Sequence, residues 1–121
     1  MTYTKTTGFA GEAKAAAFLE TQGYTIVCRN WRTPQGEIDI IAEKDGALVF
    51  AEVKTLPNGG PETLARVLDE KKQRRIVKTA KNFLNMYRQY SSGYIRFDVL
   101  IVDTPGFDPV HHIENAFVEQ T

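Results

Sequence analysis

The sequence predicts an α/β fold: one mixed β-sheet with helices on both faces, in the order α-β-β-β-α-β-β. Three observations carry this. An alanine-rich helical segment opens the chain. Three short apolar segments with strand composition then follow one another, joined by tight turns. A long amphipathic segment separates the third of these from a fourth. Such a helical crossover sets the fourth strand parallel to a neighbour, with a right-handed connection expected.

Residues 9–21 read as the first helix, with Gly23 as its C-terminal cap. Residues 24–29, Tyr-Thr-Ile-Val-Cys-Arg, read as the first strand. Thr33-Pro34-Gln35-Gly36 is turn chemistry, and residues 37–42 form the second strand. Asp45-Gly46 is the strongest hairpin signal in the chain, leading into a third strand over 48–54. Pro57-Asn58-Gly59-Gly60-Pro61 reads as a mobile loop. The long helix covers 69–90 and ends at Ser91-Ser92-Gly93. The fourth strand covers 94–102, Thr104-Pro105-Gly106 turns the chain, and 112–118 is a short last strand.

At 121 residues the chain fits a single domain spanning 1–121. Its one cysteine, Cys28, allows no internal disulfide and fits a reducing compartment. No apolar run approaches the roughly 20 residues that span a bilayer. The first residues also lack the apolar core of a signal peptide. The expected location is therefore the cytoplasm. Net charge is zero, but it is unevenly spread. Between Arg66 and Arg88, eight basic residues face only Asp69 and Glu70, a net of +6. Such a segment can present a basic face to a polyanion.

The turn at Asp45-Gly46 sets a register. If it is a two-residue turn, Lys44 pairs with Ala47. Counting outward then brings Asp39 opposite Glu52, and Glu37 opposite Lys54. Opposed residues of an antiparallel pair have Cβ atoms roughly 4.5–5.5 Å apart. Two carboxylates there repel unless a cation lies between them, and oxygen ligands suit Mg²⁺ or Mn²⁺. The plain alternative is an exposed face with cross-strand ion pairs, Glu37 with Lys54 among them. Ile38, Ile40 and Ala42 with Val49, Ala51 and Val53 make one face; Ile41, Leu48 and Phe50 make the other. With both faces apolar, charge inside these strands is costly unless paired or coordinating. That favours a site.

Both helices carry polar residues inward. On the first, Phe9, Ala13, Ala16 and Ala17 form the apolar stripe, with Glu12 at its edge. On the long helix, Ile76, Ala80, Phe83 and Tyr87 mark the core face. Lys71, Arg74, Arg75, Lys78 and Lys81 lie opposite, as an ordinary solvated face or a phosphate-tracking surface. Lys72 and Gln73 fall within about 60° of the core face in the first turn. Gln73 there either positions a phosphate or water, or bonds local backbone.

In this order, Glu12, Asp39 and Glu52-Val53-Lys54 resemble the PD-(D/E)XK nuclease superfamily. The closer likeness is to the bacterial YraN-like family, small proteins similar to archaeal Holliday junction resolvases. It is carried by Gly11-Glu12-Ala13-Lys14-Ala15-Ala16, Arg29-Asn30-Trp31-Arg32, residues 36–42, residues 50–54, Lys72-Gln73 and Arg96-Phe97-Asp98-Val99. Together these motifs cover most of the chain and are specific; Glu-x-Lys alone is weak. The resemblance implies a restriction-endonuclease-like fold and a metal-dependent DNA nuclease site. Two features depart from it. No proline precedes Asp39, and Leu56 stands where relatives often carry arginine.

On that resemblance, Glu12, Asp39, Glu52 and the Val53 carbonyl would hold Mg²⁺ or Mn²⁺. Asp39, Glu52, Lys54 and Gln73 would form the catalytic set, with Lys54 orienting a water or the scissile phosphate. Lys71, Lys72, Arg74, Arg75 and Lys78 would bind DNA, possible branched forms included. A junction resolvase needs two sites and hence a homodimer. The rivals are a nucleic-acid-binding module without catalysis, and a structural or protein-interaction domain. A metal site at His111-His112 is disfavoured, because adjacent strand residues face opposite ways. Cys28 reads as a core filler, and Trp31 as a packed aromatic at the sheet edge in preference to a platform that stacks on a base. Asp98 either supports the site or pairs with partners near Arg96.

Overall fold

The computed structural model describes residues 2–56, 68–90, 93–104, 106 and 108–119, with side chains from Ala10 onward. Helix α1 spans Thr2–Thr21, and strands β1, β2 and β3 span Thr25–Thr33, Gly36–Lys44 and Ala47–Lys54. Helix α2 spans Glu70–Met86 and a short 3₁₀ turn covers Arg88–Tyr90. Strands β4 and β5 span Tyr94–Val102 and Val110–Phe117. The five strands lie in one sheet in sequence order. β3 and β4 pair parallel; the other neighbours pair antiparallel. The mixed α/β sheet flanked by helices thus agrees with the sequence reading.

Local chemistry explains the boundaries. The amide of Tyr24 bonds Leu19 O and that of Gly23 bonds Glu20 O, closing α1 in a Schellman pattern. Asp45 (φ +52) and Gly46 (φ +82) both take positive φ, as a type I′ hairpin requires. The β2–β3 register follows from that turn, from Lys44↔Ala47 to Ile40↔Ala51. Asp69 caps α2, its carboxylate accepting from the Lys72 amide at 3.0 Å.

Two cores flank the sheet. On one side α1 contributes Ala15, Ala16 and Leu19 over Ile40, Ala42, Val49, Ala51, Leu100 and Val102. On the other, Ile76, Val77, Ala80 and Phe83 of α2 pack on Ile41, Leu48, Phe50, Val99 and Ile101. Leu56 is buried in this second core, and its amide donates to Thr104 Oγ1 at 2.9 Å. Cys28 and Trp31 pack against the same core; Trp31 meets Phe83 edge-on at 5.3 Å.

Several expectations need correction. Ala16 is buried as expected, but Ala13 and Ala17 are exposed, and Glu12, Ala15 and Leu19 face inward in their place. Alanine buries little area wherever it stands, so an alanine-rich helix has little to fix its phase. β1 is longer than 24–29 and includes Trp31. α2 stops at Met86, and Tyr87 is an exposed C-terminal cap rather than core. β5 begins at Val110. Ile38 packs on the α2 side, opposite Ile40. The loop at 57–61, residues Ser91, Ser92 and Pro105, and the Phe9 side chain lie outside the described residues.

Candidate active site

Gly11 lets α1 sit close on the sheet. A Cβ there would stand 3.1 Å from Val102 Cγ2. The approach presses the next residue, Glu12, inward. Asp39 lies where β2 leaves regular pairing on both sides. Toward β1, the register runs from Arg29↔Ile40 to Trp31↔Ile38. Asn30 therefore stands opposite Asp39, with φ +56, a conformation that asparagine tolerates better than most residues. Toward β3, the last ladder pair is Ile40↔Ala51. The direct Asp39–Glu52 and Glu37–Lys54 pairs inferred from the turn are thus not part of the ladder. The Asp39 carboxylate accepts from the Val53 amide at 2.8 Å, taking the place of a strand carbonyl. Glu37 pairs with Arg32 across β1 at 3.0 Å.

Glu12, Asp39 and Glu52 are 7%, 8% and 9% exposed, so three carboxylates share a region poor in water. Burial pushes Asp39 from its ordinary 3.8 up to about 8. The charge on Glu52 adds to this, the Val53 amide opposes it, and Glu12 and Glu37 add further. Burial raises Glu12 as well, against the Asp39 and Asn30 side chains and the charge of Arg29. Glu12 Oε1 is buried with no hydrogen-bond partner among the described residues. A buried orphan acceptor is costly, and a cation would satisfy it.

Glu52 differs. Its Oε2 lies 3.2 Å from Lys54 Nζ and 3.6 Å from Lys72 Nζ. Burial works against the Lys54 charge, but the Glu52 carboxylate, the Lys72 contact and Asp39 outweigh it, and its pKa rises. Lys72 moves the other way: burial and then the neighbouring Lys54 lower it, against Glu52. The donor set is all oxygen and suits a hard cation such as Mg²⁺ or Mn²⁺. Among the described residues, however, no three His, Cys, Asp or Glu side chains stand close enough to cage a metal ion. Glu52 faces ammonium groups on β3 and α2 instead.

Gln73 Nε2 donates to Leu68 O at 3.0 Å, the local backbone contact its position allowed. Lys71, Arg74, Arg75 and Lys78 are exposed along α2, while Lys72 is half-buried. Arg74 pairs with Glu70 at 3.7 Å. A groove of about 400 Å³ lies along this face, bounded by Gln73, Arg74, Val77, Lys78, Lys81 and Val118. It does not lie over the carboxylates.

Asp98 belongs to a separate network that sequence reasoning left undecided. It is fully buried and accepts from Arg96 Nε at 2.9 Å, Arg96 Nη2 at 2.8 Å and the Asn115 amide at 2.9 Å. His112 Nε2 lies 2.6 Å from it, and Arg96 also donates to Tyr24 Oη at 2.6 Å. Burial alone would raise the Asp98 pKa; His112, Arg96 and the Asn115 amide reverse that and lower it. His112 is therefore a structural partner of Asp98. Asn30 was not singled out as part of the site. An asparagine between strand-like residues was the available signal, since asparagine tolerates positive φ.

With this geometry in place, residues 11–102 match the model of the uncharacterised protein family UPF0102. The chain belongs to this family. A UPF0102 protein of Treponema pallidum (strain Nichols) is 44% identical over 119 residues, 95% of this chain and 94% of the relative. One from Treponema denticola is 43% identical over 121 residues, covering 91% and 93%. One from Persephonella marina is 39% identical over 110 residues, covering 91% of each chain. UPF0102 is the YraN-like family to which the motifs pointed, and the matched segment contains Glu12, Asp39, Glu52, Lys54 and all of α2. No helix among the described residues is long and apolar enough to cross a membrane.

Proposed function

We propose that this UPF0102 chain is a divalent-metal-dependent nuclease of the PD-(D/E)XK type, hydrolysing phosphodiester bonds in DNA, with branched DNA as the favoured substrate. One observation carries the reading. Asp39 sits buried among carboxylates with its pKa raised to about 8, beside a Glu12 oxygen that has no hydrogen-bond partner among the described residues. Clusters of like charge in a dry site mark places where a cation or a proton does work. The element order, a helix, an antiparallel three-strand meander, a helix and a parallel fourth strand, is that expected of a restriction-endonuclease-like fold.

Glu12, Asp39 and Glu52 do not stand as a ready-made cage, and with the Val53 carbonyl they would have to draw together to hold Mg²⁺ or Mn²⁺. The ion, when bound, would activate a water and offset charge on the phosphate. The chain's own residues do the rest. The Val53 amide fixes the Asp39 carboxylate. Lys54 keeps its proton beside Glu52 and orients the water or a phosphate oxygen. Gln73 and Lys72 border the approach from α2, and Lys71, Arg74, Arg75 and Lys78 track the backbone. A junction-resolving role needs two such sites, hence a homodimer. The chemistry of the site, reducing-compartment cysteine usage and DNA as partner all suit a cytoplasmic enzyme.

The test is a panel of duplex, single-stranded, flap and four-way DNAs with Mg²⁺ or Mn²⁺, comparing wild type with Glu52→Ala. Metal-dependent cleavage lost in Glu52→Ala supports the reading. A second reading, a DNA-binding module with little catalysis, is favoured by the two ammonium groups already neutralising Glu52. DNA binding that survives EDTA, with no cleavage under either metal, would select it.

A further inference from the structure

The two lysines beside Glu52 are not equivalent. Lys54 belongs to β3, two residues along the same strand. Lys72 arrives from α2 and meets the same oxygen, Glu52 Oε2, at 3.6 Å. Its backbone is pinned, because its amide donates to the capping carboxylate of Asp69. Its side chain is freer, 35% exposed against 20% for Lys54 and 11% for Glu52. A compact ammonium on a flexible four-carbon stem can exchange partners without moving the helix. The next residues outward on α2, Lys71 and Arg75, are exposed and basic.

Two like charges on one carboxylate oxygen form a crowded arrangement. Both ammonium groups answer the Glu52 carboxylate, whose charge demands a positive partner. A divalent cation meets that demand better, since it carries twice the charge and takes several oxygens at once. Lys54 would keep Glu52 and Asp39 as close partners on the sheet. Lys72, held only at 3.6 Å and partly in water, is the weaker competitor.

We propose that Lys72 and a divalent cation compete for Glu52, and that the cation's arrival releases the Lys72 ammonium to a phosphate of the nucleic acid. Metal loading and nucleic-acid affinity are then coupled through a single side chain, by an amount equal in both directions. The inference rests on the metal site proposed above and assigns Lys72 a role that site alone does not require. Lys72 is a positioning residue in this scheme, since it acts on the metal through Glu52.

The experiment compares wild type, Lys72→Gln and Lys71→Gln, each checked for folding by thermal melting. Calorimetry measures Mn²⁺ binding. Fluorescence anisotropy measures binding of a labelled DNA duplex with EDTA or with Ca²⁺. Removing the competing ammonium should tighten Mn²⁺ binding by roughly threefold to tenfold in Lys72→Gln. Lys71→Gln should bind Mn²⁺ as wild type does. Wild type should gain duplex affinity on adding Ca²⁺, and Lys72→Gln should lose most of that gain. Lys71→Gln should weaken duplex binding equally with EDTA and with Ca²⁺. If wild type binds Mn²⁺ but Lys72→Gln binds it no more tightly, or keeps the full Ca²⁺-dependent gain, the competition is refuted while the metal site stands. If wild type binds no Mn²⁺ at all, the metal site and the competition fall together.

Discussion

Asp39 Oδ2 accepts the Val53 amide at 2.8 Å, so a side chain fills a place that a β2 carbonyl would normally take. The consequence reaches both strands. β2 and β3 stop pairing after Ile40↔Ala51, and an acid is anchored one step from Glu52 in the midst of an apolar sheet. The carboxylate is held in position while its charge is disfavoured. That combination makes a sound metal ligand and an unfavourable free ion.

Asp39→Asn should therefore stabilise the protein without metal. The folded pKa of about 8 lies above the ordinary 3.8. Stability linked to Asp39 is thus fully present below about pH 4 and is lost as pH rises toward 8. Asparagine keeps an oxygen for the Val53 amide and removes the titration. Urea melts should show the variant more stable at pH 8 by about 1–3 kcal/mol. The gap should narrow at pH 5. Equal stability of the two proteins at both pH values would count against the raised pKa.

Metal affinity should rise with pH. Binding must displace the proton from Asp39, so Mn²⁺ affinity should increase by up to about tenfold per pH unit between 6 and 8, then level off. Calorimetry in buffers of different ionisation enthalpy should record about one proton released per metal at pH 6.5. A pH-independent affinity would show that Asp39 is not a ligand.

The network at Asp98 should be structural. Asp98 is fully buried beneath Arg96, His112 and the Asn115 amide, and neutralising it takes the main charge partner from a half-buried guanidinium that keeps only Glu114 and Tyr24. Asp98→Asn should cost about 3 kcal/mol in urea melts. Its folded pKa is lowered, so its contribution is present above the ordinary carboxylate range and is lost as pH falls. The deficit of Asp98→Asn should therefore shrink under acid conditions. Mn²⁺ affinity should remain close to that of the wild type.

The exposed face of α2 should act through charge. Lys78→Gln or Arg74→Gln should weaken DNA binding similarly for every sequence. Each should reduce the slope of log K against log salt by about one unit or less. A change in sequence preference with an unchanged slope would place DNA elsewhere.

Much of this was legible because local chemistry decided it. Asp45-Gly46 fixed the hairpin, and its register followed as far as Ile40↔Ala51. Beyond that pair, counting failed, since it assumes every residue takes its ladder place. Asp39 gave its side chain to the ladder instead, and Ile38 lies in the α2-side core while Ile40 lies in the α1-side core. Glu12 was read as lying at a stripe's edge, whereas the stripe is centred on Ala15, Ala16 and Leu19 and buries it. The close approach permitted by Gly11 favours that phase, and composition does not record it. Asp98, Tyr24 and His112 meet from three separate strand regions, a contact that no spacing rule along the chain can show.

The proposed metal-dependent nuclease site stands on these acids and Lys54. It is tested most directly by Mn²⁺-dependent cleavage of a four-way DNA junction by wild type, Asp39→Asn and Lys54→Ala, each confirmed as folded. Wild type should cleave, and both variants should lose at least about a hundredfold in rate. Cleavage by either variant at the wild-type rate would contradict it.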